Sequence, residues 1–332
     1  MPITTVDKDT DALTLTVTAE FPVPVRRLWD AYMDPRQLEK FWGPPSYPAT
    51  FTRHDAYPGG LTTYFMTGPE GDTPGGYWEW LSVEAPSSFS VLDGFLGDDG
   101  EPNRDMPQIR MEFSFEPTET GSRMIATSYF ASAAELEQLS AMGMEEGMRQ
   151  AMGQIDDVVA DLRAFAAGGV TAAETLDDTR LRVTRVIRGD VEQVWRAHED
   201  PALVSRWMLG PDGWTMPVCE TSVEPGGSYR YEWASDDGAQ RFGFAGEVLE
   251  AHAPYRLVST EQMVGAEGLP ESVQMDAVTR NEMTLTPVED GTLLTLVIVY
   301  PDRESREAAV ATGMVDGMES SYARLESAVL AA

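Results

Sequence analysis

The chain says the same thing twice. GMEEGMRQ begins at Gly143 and GMVDGMES at Gly313, each placing glycine and methionine four residues apart on one helix face. Glycine inside a helix costs about 1 kcal/mol relative to alanine, so two copies need a common cause. PVRRLWDAYMDPRQLEKFWGPP, from Pro24, matches DVEQVWRAHEDPALVSRWMLGP, from Asp190, with Trp29 and Trp195 standing 166 residues apart. Pro58-Gly59-Gly60 answers Pro225-Gly226-Gly227 at 167, and Gly143 answers Gly313 at 170. Offsets that stay in order and drift by a few residues are what loop insertions leave behind, so one fold is written twice.

The repeat sets the domain plan: domain 1 over 1–166, a linker over 167–179 and domain 2 over 180–332. AAGGVTAAETLDDTR, from Ala166, is small, polar and glycine-marked, and reads as that linker. Each copy opens on an alternating strand, Thr14 to Phe21 and Arg180 to Ile187. Two short helices follow, separated by Asp34-Pro35 and Asp200-Pro201, where the aspartate caps and the proline fits the first turn. Six strand signals come next, divided by turn sequences such as GPEGD, SDDG and VEDG. An amphipathic helix closes each copy. Its stripe is Met144, Met148, Ala151, Ile155, Val158, Leu162 and Phe165 in the first, and Met314, Met318, Tyr322, Leu325 and Val329 in the second. The predicted class is α+β: two helix-grip domains, each a curved antiparallel sheet of about seven strands around a long terminal helix.

At these residues the chain resembles the START/Bet v 1-like (SRPBCC) superfamily. It is most similar to the branch named after the carboxy-terminal domain of the activator of the heat-shock protein 90 ATPase. Trp29 and Trp195, the Asp-Pro pairs, the aromatic pair of the second helix, the PGG turns and the glycine-marked last helix carry the likeness over both halves. Where members of the branch often have two tryptophans in the second helix, this chain reads Phe41-Trp42 and Trp207-Met208. Met148 and Met318 stand where a bulky aromatic is usual. The resemblance implies a cavity between sheet and last helix that takes an apolar or amphipathic small molecule, without a cofactor.

The strands supply walls for such a cavity. Tyr229, Tyr231 and Trp233 share one strand face, with Arg230 and Glu232 on the other; Thr62, Tyr64 and Met66 are their counterparts. Met111, Phe113 and Phe115 also face together. With Trp42, Trp207 and Met283, and the helix methionines Met144, Met148, Met314 and Met318, they form the expected ligand-binding set. Inward aromatics of this kind fill an ordinary core more often than they line a ligand site. Glu79, within GYWEWLSVE, is the candidate acid or base if it faces inward, and aligns near Gly246, so that the second copy would lack it. One register slip would put it in solvent.

Other chemistries find little support. His54, His198 and His252 do not recur at matched positions; His54 on a strand edge and His252 in a turn read as solvated. No nucleophile elbow or phosphate-binding loop is present. The single cysteine, Cys219, excludes an internal disulfide and a cysteine-built metal site, so no metal is expected. The 55 acids against 24 bases give a net charge of −31, shared evenly by the two halves, which disfavours nucleic acid and anionic lipid. No apolar run approaches the roughly 18 residues of a membrane span. MPITTVDKDTDALTL lacks the pattern of a secretory signal, so the expected location is the cytoplasm.

The expected function is binding or sequestering of a small apolar or aromatic molecule by a monomer, whose copies either pair about a pseudo-twofold axis or divide the work, one keeping a ligand site while the other is structural. The alternatives are a cofactor-independent enzyme like the polyketide cyclases and aromatases, and a chaperone ATPase co-regulator.

Overall fold

The computed structural model describes residues 3–141, 144–160, 170–210, 213–270, 274 and 277–330. The chain divides into two compact units, 1–166 and 167–332. Unit 1 begins with a hairpin of β1 (Ile3–Asp9) and β2 (Thr14–Phe21), then α1 (Val25–Met33) and α2 (Pro35–Leu38). A meander follows: β3 (Ala49–His54), β4 (Leu61–Met66), β5 (Gly75–Glu84), β6 (Ser88–Phe95), β7 (Ile109–Pro117) and β8 (Ser122–Tyr129). The unit closes on α3 (Ala133–Ala141), α4 (Met144–Gly153) and α5 (Ile155–Ala160).

Unit 2 repeats the order: β9 (Ala172–Thr175), β10 (Arg180–Ile187), α6 (Val191–Glu199) and α7 (Pro201–Trp207). Then come β11 (Trp214–Glu220), β12 (Ser228–Ser235), β13 (Arg241–His252), β14 (Arg256–Glu267), β15 (Thr279–Val288) and β16 (Gly291–Val299). It ends on α8 (Arg303–Ala311), α9 (Met314–Arg324) and a π-helical turn (Leu325–Leu330). Each sheet has eight strands, ordered β1-β2-β8-β7-β6-β5-β4-β3 and β11-β12-β13-β14-β15-β16-β10-β9. All pairings are antiparallel, as in β2 against β8 and β10 against β16.

Alternation makes these strands. In β2, Leu15, Val17, Ala19 and Phe21 are buried between half-buried or exposed neighbours, which gives the sheet one inner face. The two strands beyond the expected set are edges. β9 lies within the segment read as linker and pairs with β10 although all four of its residues are exposed. The helix caps follow the Asp-Pro reading: Asp34 accepts from the Arg36 amide at 3.0 Å and Asp200 from the Ala202 amide at 2.9 Å.

The terminal helix is broken rather than continuous. Gly313 adopts φ +79° at the start of α9, a left-handed conformation that favours glycine, and separates α8 from α9. In unit 1 the corresponding Gly143 lies outside the described residues, as do Leu162 and Phe165 and the side chains of Met144 and Val329. A Cβ added at Gly147 or Gly317 would meet nothing within 4 Å, so close helix–sheet packing does not account for the second glycine of either phrase.

The cores differ. In unit 1 one cluster runs from Leu15 on β2 to Val158 on α5 and takes in Trp29, Tyr32, Phe89, Phe113 and Phe115. In unit 2 the buried apolar residues form two clusters, and Tyr229, Tyr231, Trp233, Phe242 and Phe244 belong to neither.

Candidate functional site

The hydrogen bonds of the two PGG turns align the copies residue by residue. Gly59 N donates to Trp80 O, and Gly226 N to Val248 O, both at 2.8 Å. Trp80 therefore corresponds to Val248, Trp78 to Gly246 and Glu79 to Glu247. The second copy does carry the glutamate. Neither can act inside: Glu79 sits opposite the inward Trp78 and Trp80 and pairs with Arg104 at 2.9 Å on the outer face.

The inward acid is Asp93, in register with inward Phe89 and Val91 on β6 and paired across the sheet with Trp78. Trp78 Nε1 donates to its carboxylate at 3.0 Å and the Tyr64 hydroxyl at 3.5 Å. Burial raises its pKa to about 7 against the opposing effect of those two hydrogen bonds. Asp93 closes the β6–β7 ladder opposite Ile109, and Glu261 closes the β14–β15 ladder opposite Thr279, 168 residues further on. The Tyr229 hydroxyl lies 3.2 Å from the Glu261 carboxylate and 2.8 Å from the Thr260 carbonyl. Burial again pushes the carboxyl up, while hydrogen bonds from Asn281 and Tyr229 pull it down. Both units thus carry an inward acid beside a tyrosine at the same sheet position. The signal is legible: each acid stands in the inward phase of its strand, at the end of SFSVLDGF and within RLVSTEQM.

Around these acids the units fill space differently. The cross-strand pair Thr62 and Trp78 in unit 1 becomes Tyr229 and Gly246 in unit 2, the large ring moving from one strand to the other. Gly246 is obligatory there, since an added Cβ would lie 1.8 Å from the Thr260 carbonyl oxygen. The neighbouring pair Tyr64 and Gly76 becomes Tyr231 and Phe244, so unit 2 gains a ring. In unit 1 Tyr64 lies over Gly76, and Trp42 closes edge-on against Trp78 at 4.4 Å between centroids. Met208 takes the place of Trp42 in unit 2 and accepts from Trp233 Nε1 through its carbonyl at 2.6 Å.

The expected ligand-binding residues therefore separate. In unit 1 Tyr64, Met111, Phe113 and Phe115 are buried in one aromatic core, with Phe89 and Phe113 stacked at 4.6 Å and Trp42, Met66 and Met148 packed against it. In unit 2 Trp207 stacks on Tyr322 at 5.9 Å and Met283 is buried in the same cluster. Tyr229, Tyr231 and Trp233 line the inner face with Phe242 and Phe244; the stack of Trp233 on Phe242 is 5.1 Å, and Tyr231, Phe242 and Phe244 stay half-buried. Met314 and Met318 are half-buried on α9.

The sequence reading misses two further inward groups. Arg185 is 2% exposed and is held by Glu319 at 3.0 Å and Glu326 at 3.1 Å from the terminal helix. His54 is not solvated but 6% exposed. Its Nε2 lies 3.1 Å from the Tyr32 carbonyl, its Nδ1 3.1 Å from the Thr62 hydroxyl, and Trp80 Nε1 donates to that hydroxyl at 2.9 Å. One assignment satisfies this chain: Trp80 donates to Thr62, Thr62 to His54 Nδ1, and His54 Nε2–H to Tyr32 O. It is a structural relay within the unit 1 core. His198 meets Trp207 edge-on at 4.9 Å, and burial lowers the pKa of its imidazole.

An open groove of about 720 Å³, lined by Pro22, Pro24, Pro86, Phe115 and Pro117, lies in unit 1 at the start of β6, whereas Asp93 stands near that strand's other end. Among the described residues no group of three or more His, Cys, Asp or Glu could hold a metal ion, and no helix is long and apolar enough to cross a membrane.

A family model described as activator of Hsp90 ATPase homolog 1-like protein matches residues 22–160 and 188–329. The chain belongs to this family. One matched segment falls within each of the two sheet-and-helix units, so the chain is a tandem member of the activator of Hsp90 ATPase homolog 1-like family. Among solved structures, protein Ms6760 from Mycobacterium smegmatis is 51% identical over 47% of this chain and 96% of its own, with a TM-score of 0.44. A protein from Arthrobacter aurescens is 42% identical over 48% of this chain and 92% of its own, with a TM-score of 0.46. The AHSA1 protein from Silicibacter pomeroyi is 21% identical over 44% of this chain and 97% of its own, at 0.38. Among curated proteins none matches.

Proposed function

We propose that unit 2 binds a small aromatic molecule between the inner face of β12–β14 and α9, and that unit 1 is its packed counterpart. Family membership supports a ligand-binding or Hsp90 co-chaperone-like domain, and one observation favours ligand binding in unit 2. Tyr231, Phe242 and Phe244 remain half-buried on the inner face, whereas unit 1 closes the equivalent region with Trp42 and Trp78. An aromatic ligand would stack on this wall, and Met314 and Met318 would adapt to its outline.

Titration with 1-naphthalenemethanol, a neutral bicyclic probe, followed by tryptophan fluorescence, tests the reading. Saturable binding is expected. Phe244→Ala is expected to weaken it about tenfold, roughly 1.4 kcal/mol for one stacked ring. Absence of saturable binding, or binding indifferent to Phe244→Ala, would reject it.

A further inference from the structure

The acid within the unit 2 wall carries the reading further, to the charge of the ligand. Glu261 lies on the same inner face as Tyr231, Trp233 and Phe244, since Tyr231 pairs with Phe244 and Tyr229, next in phase on β12, reaches the Glu261 carboxylate with its hydroxyl. The rings of this wall meet edge to face, at 6.4 Å between Tyr231 and Trp233 and 6.0 Å between Trp233 and Phe244. The groups facing Glu261 are neutral, namely Tyr229 and Tyr231 from β12, Asn281 from β15 and Tyr300 after β16. Among the described residues no Arg or Lys pairs with it. Arg306 from α8 acts on Tyr300 beyond, and Arg185 is held by Glu319 and Glu326.

We infer that the unit 2 site selects an arylalkyl amine, its ammonium received by the Glu261 carboxylate and the face of Tyr231, and its ring stacked on Phe244. A carboxylate without a cationic partner among several ring faces is the arrangement that stabilises an ammonium, through charge pairing and attraction to the negative faces of the rings. An anion would meet repulsion from the same carboxylate, and the chain's net charge of −31 draws cations towards the site. The single proton of the Tyr229 hydroxyl is shared between the Thr260 carbonyl at 2.8 Å and the Glu261 carboxylate at 3.2 Å, which sets the carboxylate's position beside the ring.

This inference rests on the ligand-binding reading, and three probes of one shape separate the two. 1-Naphthylmethylamine, 1-naphthalenemethanol and 1-naphthoate are titrated against the full chain at pH 7.5 and low salt. The expected result is an amine at least tenfold tighter than the alcohol, with the naphthoate weakest. Glu261→Gln, which keeps the shape and the Tyr229 contact, is expected to remove the amine's advantage while leaving alcohol binding within threefold. A thermal melt of each variant checks that unit 2 is folded, and Tyr229→Phe supplies a second variant with a partial loss of selectivity. Equal affinity for amine and alcohol, or a preference for naphthoate, overturns the inference and leaves the site standing. Failure of all three to bind overturns both.

Discussion

Replacing Asp93 by asparagine is expected to stabilise unit 1 at pH 8 by about 2–4 kcal/mol relative to its effect at pH 4. The folded carboxyl keeps its proton up to about 7 because burial raises its pKa, whereas unfolded aspartic acid loses its proton near 4. Between those values the folded state binds the extra proton, so the stability of the wild-type unit falls as pH rises through the window and levels off above it. The amide introduced by Asp93→Asn cannot ionise and keeps a carbonyl to accept from Trp78 Nε1. A half-buried carboxyl is partly screened by water, which keeps the magnitude below the full conversion of the shift. Urea unfolding followed by tryptophan fluorescence from pH 4 to pH 9 measures the difference between variant and wild type. A difference that does not change with pH would show that Asp93 ionises normally.

Arg185→Met is expected to cost unit 2 about 3–5 kcal/mol and to loosen the terminal helix. Arg185 is almost fully buried and bridges β10 to both Glu319 and Glu326, so its removal leaves two carboxylates facing an apolar side chain. Glu319 also receives the amide and hydroxyl of Thr171, both at 2.7 Å, so the same acid ties down the segment before β9. The triple change Arg185→Met, Glu319→Gln and Glu326→Gln is expected to regain most of the loss, because no unpaired charge remains. Amide exchange over residues 314–330 gives the local reading and urea unfolding the global one. A single-variant cost below about 1 kcal/mol would mean that α9 is held by its apolar stripe alone.

The contrast between Arg185 and its unit 1 counterpart, Ala19, shows where sequence reasoning stops. The repeat, the strand phases and the Asp-Pro caps are legible because each rests on a periodicity or a local hydrogen bond that survives without tertiary context. Asp93, Arg185 and Glu261 break the apolar phase of their strands, so the sequence contains their signal. Weighing an inward charge against a register slip, however, requires knowing its partner, and Glu319 lies 134 residues from Arg185. Glu79 misleads for the opposite reason: three neighbouring aromatics suggest burial, yet Trp78 and Trp80 face inward and leave Glu79 between them on the outside. The edge strands β1 and β9 are mostly exposed and polar, and an edge paired on one side needs no burial pattern to form. The break at Gly313 is visible as a glycine but not as a left-handed residue, because the apolar stripe marks only the helix that follows it.

The division of labour between the units is tested most directly by fluorine NMR of protein carrying 5-fluorotryptophan at its eight tryptophans, titrated with 1-naphthalenemethanol. If the half-buried rings of the second sheet are the receiving surface, the resonances of Trp233 and Trp214 move with ligand while those of Trp29, Trp42, Trp78 and Trp80 stay fixed. Movement of Trp42 and Trp78 with Trp233 unchanged would place the ligand in the first unit and contradict the account.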